Sequence, residues 1–189
     1  GGGAKGFAHL GAFMVFESYG LKPDVIVGTS AGALAGVFYA DGFTPEEISE
    51  LFRKHEFREF FEFSVPKAGL FKNSGLEKFL KNNLRSSSFE QLKVPFKAVT
   101  TDWERARTVV FSEGRSLVDA VVASCSVPIV FTPKVIGGTP YVDGGLLKNY
   151  PVSVIRDNCK YVIGVNVSMI TSPPEKVSIR TTAERTFKL

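Results

Sequence analysis

The sequence predicts an α/β domain in which a central, mostly parallel sheet carries helices on both faces. Short β-branched runs bounded by proline or glycine alternate with longer segments of helical spacing. Two of the helical segments open on a hydroxyl residue with a glutamate three positions on, the signature of a capping box. The 189 residues are 44% hydrophobic, which suits one domain with a real core and leaves little room for a second.

Each element has its own reason. Phe7, Leu10, Met14 and Val15 stand at near-helical spacing before Gly20 and Pro23 stop the pattern, so residues 7–19 predict a first helix. Val25-Ile26-Val27, held between Pro23 and Gly28, reads as a buried strand, and the small apolar run 31–40 as a packed helix. Thr44-Pro45-Glu46-Glu47 and Ser74-Gly75-Leu76-Glu77 match the capping box, with Pro45 at the favoured first helical position. Residues 96–101 and 107–111 read as strands, Ser116 with Asp119 opens a capped helix through Ala123, and 161–167 reads as a last strong strand. A linker with two prolines, 171–176, leads to a helix-like tail at 183–189. No repeat and no low-complexity segment interrupts this order. The chain opens on glycines with no strand leading into the turn and stops inside its tail, so it is expected to be one domain, 1–189, trimmed at both ends.

The net charge of +4 and pI of about 9.1 form no long basic run, so nucleic acid is not implied as a partner, while anionic lipid surfaces are mildly favoured. Cys125 and Cys159 form no C-x-x-C or Cys/His cluster and suggest neither a disulfide framework nor a zinc site. No stretch approaches the roughly 18 apolar residues needed to span a bilayer. Membrane contact is therefore expected to be peripheral, and the location cytoplasmic or at a membrane surface.

The chemistry concentrates in three places. Gly28-Thr29-Ser30-Ala31-Gly32 is G-x-S-x-G between a predicted strand and a predicted helix, the context of a nucleophile elbow. Such a turn needs residues without colliding side chains two before and two after the serine, which Gly28 and Gly32 supply. The helix beginning there adds free N–H groups and a positive dipole end near the hydroxyl. Gly1-Gly2-Gly3-Ala4-Lys5-Gly6 opens the first helix and suits an oxyanion hole. It also matches G-x-G-x-x-G, with Asp24 at about the right distance for a dinucleotide site, but Asp24 precedes its strand and marks the wrong end to reach a ribose. Tyr141-Val142-Asp143-Gly144-Gly145 ends a short strand in an acid, although Asp-Gly-Gly alone is only a turn signal.

A serine nucleophile needs a base, and the chain offers only His9 and His55. His9 reads as a packing residue of the first helix, and His55 sits in a charged, aromatic run where exposure is the default. Neither stands at a strand end with a carboxylate partner. Asp143 is the best-placed alternative, provided its site desolvates it enough to raise an ordinary carboxyl pKa of about 3.9.

The glycine-rich start, G-x-S-x-G and D-G-G, in that order and spacing, resemble the patatin-like phospholipase family. Ala123-Ser124-Cys125-Ser126-Val127-Pro128 with Phe131-Thr132-Pro133 resembles the segment before that family's aspartate, and Asn149-Tyr150-Pro151 resembles the segment after it. The resemblance covers most of the chain to Val167. It implies a three-layer α/β/α patatin-like fold and a serine lipid acyl hydrolase of phospholipase A or esterase type. Ser30 would be the nucleophile, Asp143 the base, and the Gly1, Gly2, Gly3, Ala4 and Lys5 backbone the oxyanion hole. Gly6, Gly28, Gly32, Gly144 and Gly145 would be the motif glycines. No cofactor and no metal are implied, and the substrate would be a lipid or other acyl ester. Two alternatives stay open: a non-catalytic lipid- or regulator-binding protein, and an acyltransferase or thioesterase using the same acyl-enzyme.

Seventeen phenylalanines are many for this length, and Phe57, Phe60, Phe61 and Phe63, with Leu70-Phe71 behind them, suit either a greasy lid or a short helix docked on the core. Lys67, Lys72, Lys78, Lys81 and Arg85 read as a solvated face rather than a lipid patch.

Overall fold

The computed structural model describes residues 1–54 and 71–167. The 3-10 turn Gly3–Gly6 leads into α1 (Phe7–Ser18), followed by β1 (Ile26–Thr29), α2 (Ala31–Ala40) and α3 (Pro45–Lys54). After α4 (Ser74–Asn83) come β2 (Phe96–Asp102), β3 (Arg107–Phe111), α5 (Leu117–Ser124), β4 (Lys134–Ile136), β5 (Thr139–Asp143) and the single turn α6 (Gly145–Lys148). The five strands form one mixed sheet with helices on both sides, the α/β class the alternation predicts.

The sheet is less parallel than expected. Among the strands of the sheet β1 and β2 pair in parallel, while β2–β3, β2–β5 and β4–β5 are antiparallel. Connection length is the reason. β2 and β3 are joined by four residues and β4 and β5 by Gly137-Gly138, both at positive φ, and links this short can only turn a strand back on its neighbour.

One detail of register decides the geometry of the molecule. β3 covers Ala98–Asp102 on one edge of β2. β1 pairs with Phe96–Val99 and β5 with Thr100–Asp102, so both lie on the other edge. β1 runs parallel to β2 and β5 antiparallel, so their C-terminal ends meet, Thr29 opposite Val99 and Asp143 opposite Thr100. A residue just past β1 and the last residue of β5 are thereby brought together although they are far apart in sequence.

The core lies around α2 and α5. Val37, Phe38, Leu80, Leu117, Val121 and Val122 have no exposed surface. Phe38 makes edge-to-face contacts with Phe43 and Phe52, centroids 5.4 and 5.6 Å away. On α1 the expected apolar stripe is buried only in part: Leu10 is in the core, whereas Phe7 and Val15 are about half exposed. The helix is apolar nearly all round, so spacing alone could not say which side faces inward.

The first capping box forms as expected: the Thr44 amide donates to Glu47 Oε2 (2.8 Å) and the Glu47 amide to Thr44 Oγ1 (3.2 Å). Thr44→Ala is expected to cost about 1 kcal/mol, read as a lowered urea midpoint with an unchanged m-value. In the second, α4 begins at Ser74 itself with Asn73 in the N-cap position and no side-chain cap bond from it, and the Glu77 carboxylate holds Lys81 (2.6 Å) and Lys134 (2.7 Å). Likewise Ser116 precedes α5 without a side-chain cap bond, and Asp119 binds Lys134 (2.8 Å). In both places a lysine from another element outbids the local backbone amide for the carboxylate.

Residues 161–167 form no strand. Tyr161 and Ile163 are 80% and 60% exposed, and the segment runs past the site with Gly164 against the Tyr150 hydroxyl and Val167 against Gly2. A β-branched run records the capacity for a strand, and pairing requires a neighbour in register. His55, Phe57, Phe60, Phe61, Phe63, Lys67, Leu70, the linker 171–176 and the tail 183–189 lie outside the described residues. Lys72, Lys78, Lys81 and Arg85 are exposed, Lys81 in an i,i+4 pair with Glu77, as expected of a solvated face.

Candidate active site

Ser30 sits between β1 and α2 with φ 52° and ψ −124°, a conformation L-residues rarely adopt. A turn of this kind costs of order 1–3 kcal/mol and persists only where surrounding contacts fix it. Gly28 makes it possible: a Cβ there would lie 2.5 Å from the Gly32 carbonyl oxygen and 2.6 Å from Ala33 Cα. Ala33 and Leu34 amides close the first turn of α2 on the Ser30 carbonyl at 2.8 and 3.0 Å. Gly32 differs from the expectation. A Cβ there would meet only His9 Nε2 at 3.6 Å and the Gly1 nitrogen at 3.8 Å, ordinary contact distances.

Asp143 ends β5, 4% exposed, with the Ser30 side chain near enough to pull its pKa down. The Gly145 amide donates to its Oδ1 at 2.6 Å. Gly145 must be small for this, since a Cβ would stand 3.0 Å from that oxygen, and a Cβ on Gly144 would collide with the Val99 carbonyl. Burial pushes the Asp143 carboxyl up to about 6, against the opposing pull of the Ser30 side chain and the Gly145 amide. The structure thus joins the serine and the aspartate that the sequence singled out, the first partly exposed, the second buried and easily protonated.

The glycine loop lies against the start of α2, where a Cβ on Gly6 would stand 2.6 Å from Ala31 Cβ. Gly2 has φ 148°, which requires glycine. The Lys5 amide donates to the Gly2 carbonyl (3.1 Å), so it closes the loop and is not free to bind an oxyanion. His9 is buried on α1, as a packing residue should be, with no hydrogen-bond partner at Nε2. Burial holds its imidazole below the usual range. Asp24 is exposed in the bend before β1, at the end of the strand away from Ser30. No group of three His, Cys, Asp or Glu residues suited to a metal occurs among the described residues.

The family description that matches this chain is that of the patatin-like phospholipases, over residues 1–155. The chain belongs to that family. Among its relatives, the Bacillus subtilis protein YqhO is 27% identical over 97% of this chain and 75% of its own length. An NTE family protein of Mycobacterium tuberculosis is 28% identical over 93% of this chain and 49% of its own. Patatin-like phospholipase domain-containing protein 7 of Rattus norvegicus is 29% identical over 88% of this chain and 13% of its own. The chain therefore spans from most of a relative to a small part of one. The crystal structure of VipD from Legionella pneumophila shares the fold, with a TM-score of 0.63 at 17% identity over 80% of this chain and 46% of that one.

In this patatin-like domain the contacts that hold the site come largely from residues to which sequence reading gave no role. Ser124 Oγ accepts from the Ser30 amide (2.9 Å) and donates to the Val99 carbonyl (2.7 Å). Cys125 Sγ donates to the Ser30 carbonyl (3.4 Å), and burial pushes its thiol pKa up. The Asp143 amide donates to the Ser126 carbonyl (2.9 Å). The signals in the sequence were a run of small polar residues closing an otherwise apolar helix and its resemblance to the family segment before the aspartate, neither of which assigned these bonds.

Proposed function

We propose that this patatin-like domain hydrolyses acyl esters of lipids, as a phospholipase A or esterase, through Ser30 and Asp143. The observation that carries the reading is the meeting of the β1 and β5 ends, which sets Ser30, in its strained turn, beside a buried Asp143 whose pKa is raised to about 6. A carboxylate of that basicity is largely ionised at neutral pH yet is a far better proton acceptor than an ordinary one. Ser30 Oγ attacks the ester carbonyl as its proton passes to Asp143. The Gly2 and Gly3 amides receive the oxyanion, each such donor being worth about 3–4 kcal/mol in the transition state. The carbon–oxygen bond to the alcohol breaks and Asp143 returns the proton to the leaving oxygen. Water, deprotonated by Asp143, then attacks the acyl-enzyme carbonyl, and Asp143 passes that proton to Ser30 Oγ as the bond to serine breaks and the fatty acid leaves. The chain's own groups account for each proton, so no metal is invoked.

The test is covalent trapping. A fluorophosphonate should label the protein once, on the peptide carrying Ser30, in EDTA as readily as in buffer, and should stop hydrolysis of a medium-chain p-nitrophenyl ester. Label on another residue, or activity that survives full labelling, would refute the assignment.

A further inference from the structure

The segment Ser124-Cys125-Ser126, at the end of α5, is the one stretch among the described residues bonded to both Ser30 and Asp143. From the Ser30 reading of the function, we infer that Ser124 is a positioning residue for the nucleophile: its hydroxyl, inserted between the Ser30 amide and the Val99 carbonyl, holds Ser30 in the strained turn that aims its side chain at Asp143.

The ladder between β1 and β2 ends at Thr29 opposite Val99. In a continued parallel ladder the Ser30 amide would bond directly to the Val99 carbonyl. Ser124 Oγ occupies that rung instead, 2.9 Å from the amide and 2.7 Å from the carbonyl oxygen, with no exposed surface. The hydroxyl therefore wedges Ser30 away from β2. Cys125 Sγ takes the carbonyl of the same residue at 3.4 Å, so both polar backbone groups of Ser30 are held from the end of α5. Two residues on, the Ser126 carbonyl takes the Asp143 amide at 2.9 Å. Ser126 is itself fixed, its hydroxyl donating to the Val122 carbonyl (2.8 Å) and accepting from Asn73 Nδ2 (2.8 Å). The spacing between nucleophile and base is thus set by three consecutive residues of one helix end.

Without the hydroxyl the rung can close, drawing the Ser30 backbone toward β2 and its side chain away from Asp143. Because the nearby Ser30 side chain lowers the Asp143 pKa, moving it away shifts the acid limb of kcat/KM above about 6. Ser124→Ala is expected to reduce kcat 10- to 100-fold with KM unchanged, the cost of roughly 1 Å of misplacement. Its acid limb should shift to higher pH and fluorophosphonate labelling should slow. Ser124→Thr, which keeps the hydroxyl, should restore the limb. Thr44→Ala, which loses stability through α3, is the control for a purely structural effect and should leave the limb in place. A folded Ser124→Ala with wild-type kcat and limb, or with a fall in kcat and no shift of the limb, overturns the inference. Should Ser124→Ala not fold, Ser124→Cys, a weaker donor and acceptor, takes its place: a limb shifted to higher pH supports the inference and an unshifted limb overturns it. A wild-type protein that takes no label overturns the nucleophile reading and this inference with it, whereas a labelled wild type beside an unaltered variant overturns the inference alone.

Discussion

Asp143→Asn should lower kcat/KM by up to about 10^4-fold, the upper range for general acid–base catalysis, and at pH 8 it should make the protein more stable. The two effects have one origin. Burial raises the Asp143 carboxyl from 3.8 to about 6, so the folded state holds this proton more tightly than the unfolded chain does. The associated stability is fully present below 3.8 and is lost as pH rises through about 6. A shift of roughly two units corresponds to about 3 kcal/mol, which the wild-type domain forgoes at pH 8 to keep an ionised base in a dry site. Asparagine is neutral at every pH. Its Oδ1 can still accept the Gly145 amide, so the variant should recover a large part of that stability. The difference in melting temperature between variant and wild type should be positive at pH 8 and should close as pH falls below about 4. In parallel, wild-type kcat/KM should fall on the acid side with a midpoint near 6. Ser30→Ala, which removes the nucleophile but not the charge, should lose about 10^6-fold of kcat, the loss expected of a serine nucleophile. A variant no more stable than wild type at pH 8, or a rate without an acid limb, would mean that Asp143 is not the desolvated base.

The proposed pairing follows from the sequence in kind, because a serine elbow with no usable histidine leaves an acid at a strand end as the candidate base. Ser30 and Asp143 could be singled out as candidates since both depend on local features: a glycine two residues before a serine at a strand end, and two glycines after an acid. Each of those glycines is needed at a point where backbone or carboxylate approaches too closely for a Cβ, and such needs are written into residue type. What joins the two halves was not legible. The meeting of β1 and β5 on one edge of β2 is a matter of register, and β4 is only three residues long. Ser124 escaped for a related reason. Its hydroxyl serves another element's backbone, and no local rule separates that use from an ordinary serine at a helix end. The errors at Glu77 and Asp119 are the reverse case, local capping signals overridden by Lys134, while residues 161–167 had the composition of a strand and form none among the described residues.

The two glycines that frame the nucleophile should respond oppositely to the same added methyl group. In Gly28→Ala the new Cβ would stand 2.5 Å from the Gly32 carbonyl oxygen and 2.6 Å from both Ala33 Cα and the Ala33 amide nitrogen. All three are backbone atoms, and that amide also closes the first turn of α2 on the Ser30 carbonyl at 2.8 Å. Nothing flexible can yield, so either α2 moves off the strand or the elbow opens. Overpacking of this kind is expected to cost about 3 kcal/mol or more, and a shift of about 1 Å at Ser30 a further 10^2-fold in kcat. Gly32→Ala, by contrast, would place its Cβ 3.6 Å from His9 Nε2, within α2, in open enough space. Alanine there should be neutral or stabilising by up to about 1 kcal/mol, the difference between the two residues in a helix. Urea denaturation of both variants decides the matter. Similar costs at the two positions would show that the motif demands small residues by composition alone, whereas a large loss only at Gly28 would tie the demand to the closeness of strand and helix that pushes Ser30 outward.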